Sequence, residues 1–213
     1  LTLLYMAITP PVLLALAPPE ELPLLQTLLG QLIPLLPSQV YTHLSPGTEA
    51  TLQTAYQLHS HGLHYKMILT DPGHFQRYLT SDVVPLTVAH LPQIMALYAA
   101  SYPDHAFDPR MLETRQFFGL SRDGMLVSIA GIHVYSPEYQ VAAIGNVTTH
   151  PNYRNQGLGK AVIASLIKSL LGTVNHIGLN VKCDNPAAIR TYQQLGFDIV
   201  DTYHEAMLKI ICR

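Results

Sequence analysis

Arg154-Asn155-Gln156-Gly157-Leu158-Gly159 decides how this chain is read. It follows a β-like run, Val141 to Thr149, and opens a helix-like run, Leu158 to Leu171. A strand ending in a glycine turn at a helix N-terminus presents unpaired backbone N–H groups and the positive end of a helix dipole, which suits a phosphate or pyrophosphate. Gly157 and Gly159 let the backbone approach the anion with no Cβ in the way. Arg154 adds a fixed charge with donors matched to phosphate oxygens. Two common phosphate motifs are excluded. A dinucleotide fingerprint needs a third glycine where Val162 stands. A P-loop needs a glycine at the place of Arg154 and a Ser or Thr after its lysine, but Ala161 follows Lys160.

Downstream, His176 to Lys182 alternates, with Ile177, Leu179 and Val181 on one face, a strand signature. Asn185-Pro186-Ala187-Ala188-Ile189-Arg190-Thr191-Tyr192-Gln193-Gln194-Leu195-Gly196-Phe197 then reads as a helix. Asn185 suits the N-cap, Pro186 the first helical position and Gly196 the stop. Ala188, Tyr192 and Leu195 share a face.

Arg-x-x-Gly-x-Gly between strand and helix, followed by Asn-x-x-Ala-x-x-x-Tyr-x-x-x-Gly-Phe, resembles the GNAT N-acetyltransferase superfamily over residues 83–213. The resemblance implies an α/β fold with an α+β mixed sheet: a GNAT acyltransferase domain at 83–213, preceded by a smaller mixed α/β part at 1–80 that is read as a degenerate GNAT-like half. It implies acetyl-coenzyme A as cosubstrate and direct attack by an amine on the thioester. Arg154, Asn155, Gln156, Gly157, Leu158, Gly159 and Lys160 would then hold the pyrophosphate. Asn146, Val147 and Thr148 would align the pantetheine arm and supply an oxyanion N–H, and Asn185 would also touch the cofactor. Tyr192 would bind the thiol end and protonate the departing thiolate; its plainer role is an amphipathic core tyrosine.

The family leaves the base open. If Ser136 to Tyr139 is a four-residue turn, Tyr135 pairs with Gln140 and His133 with Ala142, which puts His133 on the face of Ile144, Asn146 and Thr148. His133 titrates in a useful range, and Glu138 in the turn could act through water. Tyr98, Tyr102, His105 and Asp108 fall where an acceptor loop is expected. The alternative to catalysis is a non-catalytic acyl-coenzyme A sensor or scaffold. The acceptor, a small molecule or a peptide amine, is left open, as is a monomer or a homodimer.

Composition narrows the partners. The net charge of −2 and the lack of a basic block argue against nucleic acid. Only two cysteines occur, Cys183 and Cys212, which suits a reducing cytoplasm, with a disulfide between them not required. Leu1 to Ala17 is apolar, but Pro10 and Pro11 interrupt it and no Lys or Arg precedes Lys66, so neither a signal peptide nor a membrane span is expected. The chain does not begin with Met, which leaves room for an upstream segment. His59, His61 and His64 are spaced for shared imidazole ligation, but no carboxylate or cysteine lies near them in sequence, so no metal is expected.

The remaining elements follow from periodicity. Leu22 to Leu36, Thr48 to Leu58, His90 to Ala100 and Pro109 to Arg115 read as helices. Val40 to Leu44, Tyr65 to Leu69, Val84 to Val88 and Gln116 to Leu120 read as strands, the last paired with Met125 to Tyr135 across Asp123-Gly124.

Overall fold

The computed structural model describes residues 1–103 and 105–211. Cys212, half of the disulfide considered above, lies outside them, and Cys183 is a free, half-buried thiol. Burial pushes the Cys183 thiol above its ordinary range, as expected of an inert packing cysteine. Among the described residues, no helix is long and apolar enough to cross a membrane.

The chain forms two compact units that interleave in sequence. Unit 1 comprises Leu1–Lys66, Val181–Asn185 and the stretch from Val200 onward; unit 2 comprises Met67–Asn180 and Pro186–Ile199.

In unit 1 the apolar start of the chain is a hairpin of β1 (Thr2–Tyr5) and β2 (Val12–Ala15). β2 runs parallel to β3 (Gln39–Leu44), and β3 pairs antiparallel with β10 (Phe197–Ile210). The helix α1 (Leu22–Leu32) covers this sheet through Leu25 and Leu29. The expected helix over Thr48 to Leu58 is only α2 (Glu49–Leu52); the chain turns and enters the long strand β4 (Tyr56–Leu69). Tyr56 explains the switch: its ring is buried and its hydroxyl donates to the carbonyls of Leu36 and Pro37, at 3.1 and 2.9 Å, contacts its place on β4 allows.

The polar face of unit 1 gathers what the sequence scattered. Glu205 takes His43 Nε2 at 3.1 Å and His64 Nε2 at 2.8 Å, and the Tyr203 ring packs on both imidazoles. The carboxylate thus arrives from far along the chain, which local spacing around His59, His61 and His64 could not show. Among the described residues no group of three or more His, Cys, Asp or Glu is arranged for a metal ion. Burial works to raise the Glu205 pKa, but hydrogen bonds from His43, His64 and Tyr41 prevail and hold it well below the carboxylate range. A depressed folded pKa contributes stability that is present above the unfolded value and lost as pH falls through the folded one. Glu205→Gln should therefore cost about 1–3 kcal/mol near neutral pH and less near pH 3, which lies between the unfolded and the folded value. Urea midpoints at the two pH values check this, and an equal loss at both would remove the charge from the account.

In unit 2 the strands lie in the order β4, β9, β8, β7, β6, β5. They are β5 (Val83–Pro85), β6 (Phe118–Arg122), β7 (Met125–Ser136), β8 (Val141–Thr149) and β9 (His176–Lys182). Asp123 and Gly124, both at positive φ, close the β6–β7 hairpin as the Asp-Gly signal predicts. The helices are α3 (Leu91–Ser101), α4 (Leu158–Leu170) and α5 (Pro186–Gln194), with a 3-10 turn at Pro109–Thr114. Seven of the ten residues of α4 from Ala161 to Leu170 are apolar and buried, so this helix forms much of the core of the unit. The first expected strand shortens to Val83–Pro85, with Leu86 instead buried as a core residue.

Candidate active site

The β8–β9 ladder is parallel from Val141–His176 to Ile144–Leu179 and stops there, while β8 continues to Thr149. Past Ile144, among the described residues, β8 has no β9 partner, so its edge toward β9 lacks the ladder bonds of the preceding residues. At this point the β7–β8 register also slips, between Ile129–Thr148 and Gly131–Gly145. The extra residue on β8 goes with Asn146 at φ 54°, a left-handed geometry in which Asn is among the better tolerated residues. Asn146 is buried, its Nδ2 donates to the Ile132 carbonyl at 3.2 Å, and its own carbonyl accepts from the Tyr98 hydroxyl at 2.9 Å. Its Oδ1 is buried without a hydrogen-bond partner among the described residues. Thr148 is held by Ser101 Oγ at 3.0 Å, so α3 fixes the open segment of β8 at two points.

β8 leads through a 3-10 turn at Pro151–Tyr153 into the glycine loop. Arg154 is exposed and its Nε donates back to the Thr149 carbonyl at 3.3 Å. Asn155 and Gly157 both take positive φ, 62° and 79°, which turns successive N–H groups toward one side. Gly157 is the N-cap of α4, and the first intrahelical bond is Ala161 N–H to the Gly157 carbonyl at 3.2 Å. The N–H groups of Leu158, Gly159 and Lys160 therefore have no acceptor inside the helix. A Cβ built on Gly157 meets nothing nearer than Lys160 Cε at 4.0 Å, so the concavity is open as well as rich in donors. These residues fit a pyrophosphate.

Tyr192 projects from α5, half-buried, with its ring edge-on to Phe197 at 6.0 Å. Desolvation, with the neighbouring Tyr102 second, pushes its hydroxyl up to about 12, so it keeps its proton throughout the neutral range. Asn185 precedes α5, and its N–H donates to the Lys182 carbonyl at 3.1 Å.

The hairpin that carries His133 differs from the expected register. Ser136 pairs with Val141 and Tyr135 with Ala142, because Pro137 to Gln140 make the turn and Gln140 takes φ 56°. A second slip between Ile132 and Val134 makes His133 itself a bulge, and its ring covers the Cα of Gly145. The ring therefore lies against the residue next to Asn146. Glu138 is exposed at the far end of the hairpin and is not brought to this place. Asp108 caps the 3-10 turn and is bound by the Arg110 fork, at 2.6 to 3.1 Å, which lowers its pKa to about 2. That carboxylate is already paired with Arg110. Tyr98 is fully buried, with His105 stacked on it at 4.5 Å, so it shapes the site from behind. Sequence reasoning missed the role of Tyr98 as the clamp on Asn146; its helical spacing from Ile94 is the signal that was there to find.

If His133 takes the amine proton, His133→Ala should lower kcat/KM about tenfold or more and move the acidic limb of the pH profile. Gly145→Ala should act in the same direction, because its Cβ would fall 1.9 Å from His133 Cδ2 and must expel the ring. Steady-state kinetics across pH 6 to 9 check both, and an unchanged profile in both variants would leave water as the acceptor.

This fold and this loop define an acyltransferase of the GNAT class. The chain matches the Acetyltransferase (GNAT) family over residues 89–197, just over half its length, and it belongs to that family of N-acetyltransferases. It is 31% identical over 102 residues to the ribosomal protein bS18-alanine N-acetyltransferase of Escherichia coli (strain K12), covering 47% of this chain and 67% of that one. It is 28% identical over 138 residues to N-alpha-acetyltransferase RimI of Mycobacterium tuberculosis, covering 57% of this chain and 84% of that one. In fold it is similar to a GNAT-family acetyltransferase from Novosphingobium aromaticivorans, with TM-score 0.66 and 23% identity over 86% of this chain and 80% of the other.

Proposed function

We propose that this chain transfers an acetyl group from acetyl-coenzyme A to the free amine of a peptide or protein by direct attack. The observation that carries the reading is the end of the β8–β9 ladder at Ile144–Leu179, directly upstream of the loop at 154–160. It supplies an open strand edge for an amide-bearing arm and, next to it, a donor-rich turn for a pyrophosphate. The peptide acceptor is supported by the two relatives, which are named for an alanine of a ribosomal protein and for N-alpha-acetylation.

Each residue then has a task. The loop backbone and Arg154 bind the pyrophosphate, and Asn146 to Thr148 align the pantetheine amides. One N–H of that segment faces the thioester carbonyl oxygen as negative charge develops on it, a contribution often worth about 3 kcal/mol. The amine nitrogen forms a bond to the carbonyl carbon and the C–S bond breaks. The amine proton leaves to His133 or to water, and Tyr192 gives its proton to the thiolate. Residues 83–213 carry this chemistry, and a reducing cytoplasm suits the free Cys183.

Thiol release from acetyl-coenzyme A, measured against short peptides with free N-termini and against small amines, tests the reading. Turnover with peptides is expected. Turnover only with small amines would replace the acceptor class, and binding without turnover on any amine would make the chain a sensor or scaffold.

A further inference from the structure

Ser60, His204 and Glu49 come from separate stretches of unit 1 and form one hydrogen-bonded chain. Ser60 Oγ lies 2.6 Å from His204 Nε2, and His204 Nδ1 lies 2.8 Å from Glu49 Oε1. We propose that these residues are a second, nucleophilic centre, in which Ser60 takes a short acyl group from a carboxylic ester and passes it to water. The acetyl transfer proposed above uses none of them.

The order of the contacts is the first observation. A carboxylate only accepts hydrogen bonds, so the His204 proton sits on Nδ1 and the Nε2 lone pair faces Ser60. The Ser60 hydroxyl therefore donates to a nitrogen that is free to take its proton. A nucleophile on a base, with the base oriented by a carboxylate, is the arrangement that activates a serine.

Preorganisation is the second. β10 lies between β3 and β4, so His204 reaches Ser60 on a neighbouring strand. His204 alternates with Tyr203 and Glu205, which puts it on the opposite face from the Glu205 cluster and on the face of the buried Ala206 and Leu208. Glu49 opens α2, and its other oxygen, Oε2, accepts the N–H of Gly47 at 2.7 Å. Gly47 takes φ 98°, which glycine adopts without strain, and the buried Thr48 braces that turn by donating its hydroxyl to the Ser45 carbonyl at 2.8 Å. The side chains of His204 and Glu49 are 17% and 20% exposed, so the base and its carboxylate are shielded while Ser60 is exposed.

Access is the third. Two residues beyond Ser60, Gly62 takes φ 97°, and no atom lies within 4 Å of the place where its Cβ would stand. The Gly62 N–H donates to Ser60 Oγ at 3.0 Å, a fixed donor beside the oxygen at which negative charge develops. An open approach of this kind suits a short acyl group better than a long chain that needs a walled pocket. In the reaction, Ser60 Oγ bonds to the ester carbonyl carbon as His204 Nε2 takes its proton. The bond from that carbon to the alcohol oxygen breaks, and His204 returns the proton to the leaving alcohol. Water then adds to the acyl-serine with His204 again as base, which releases the carboxylic acid and restores the hydroxyl. Glu49 touches no substrate and positions the imidazole.

Two assays on the full chain test the centre: hydrolysis of p-nitrophenyl acetate, and labelling by a fluorophosphonate with the modified residue located by peptide mass spectrometry. The label is expected on Ser60, and hydrolysis should fall about tenfold or more in Ser60→Ala and in His204→Gln. Glu49→Gln should lower kcat about tenfold with KM unchanged, and Glu49→Asp should restore part of it. Ser60 is exposed, so Ser60→Ala should melt within about 2 °C of the parent and reads the chemistry rather than the fold. Hydrolysis unchanged in Ser60→Ala, or a parent whose Ser60 takes no label, would overturn the nucleophile. A label on Ser60 with no loss in His204→Gln would overturn the base. Each of these results leaves the acetyl-coenzyme A reading standing, because the probes contain no coenzyme.

Discussion

Gly157→Asp is expected to abolish the thermal shift that acetyl-coenzyme A gives to the parent protein. At about a hundred times its Kd, a ligand that binds only the folded state stabilises it by roughly 2.7 kcal/mol. For a chain of this length that corresponds to a rise in Tm of about 5–10 °C. Gly157 sits at φ 79° with open space where a Cβ would point, so the new carboxylate would occupy the concavity proposed for the pyrophosphate. Asp tolerates the left-handed region better than most residues, so the fold itself should lose only about 1 kcal/mol. Gly157→Asn carries the same backbone strain without the charge and should keep part of the shift. Differential scanning fluorimetry with millimolar ligand reads all three proteins. A full shift in Gly157→Asp would mean that the anion binds elsewhere.

Tyr192→Phe should lower kcat by about 10²-fold or more with little change in KM. The phenyl ring keeps the edge-on contact with Phe197, so the loss isolates the hydroxyl. With its pKa pushed up to about 12, by desolvation first and Tyr102 second, the phenol stays protonated at every practical assay pH. No basic limb in the parent profile should then belong to it. Tyr102→Phe, which leaves the donor in place, should have a smaller effect. Single-turnover measurements avoid masking by product release, and an unchanged chemical step in Tyr192→Phe would return this residue to packing.

Local signals were legible where one short stretch sets its own geometry. The loop at 154–159, the strand His176–Lys182, the helix after Asn185 and the Asp123-Gly124 turn all stand as their residues foretell. What escaped depends on distant partners. The bulges at His133 and Asn146 arise from how β7 and β8 fit together, and alternation along either strand alone cannot reveal a slip in their pairing. Thr48 to Leu58 has helical spacing, but the buried ring of Tyr56 and its contacts with Leu36 and Pro37 favour the strand.

Unit 1 is closed by strand pairing between segments far apart in the chain, with the Thr42 hydroxyl reaching the Ala206 carbonyl across 164 residues. During synthesis, a nascent chain that has exposed only its first 66 residues can form the β1–β2–β3 ribbon and α1, but one edge of β3 has no partner. That bare edge could recruit a strand from another molecule, the hazard every unpaired sheet edge presents. Pairing at such long separation also carries a loop-closure cost and slows folding. Stalling translation before Val200 should therefore yield protease-sensitive, aggregation-prone chains, whereas release of β10 should protect residues 39–44 from hydrogen exchange.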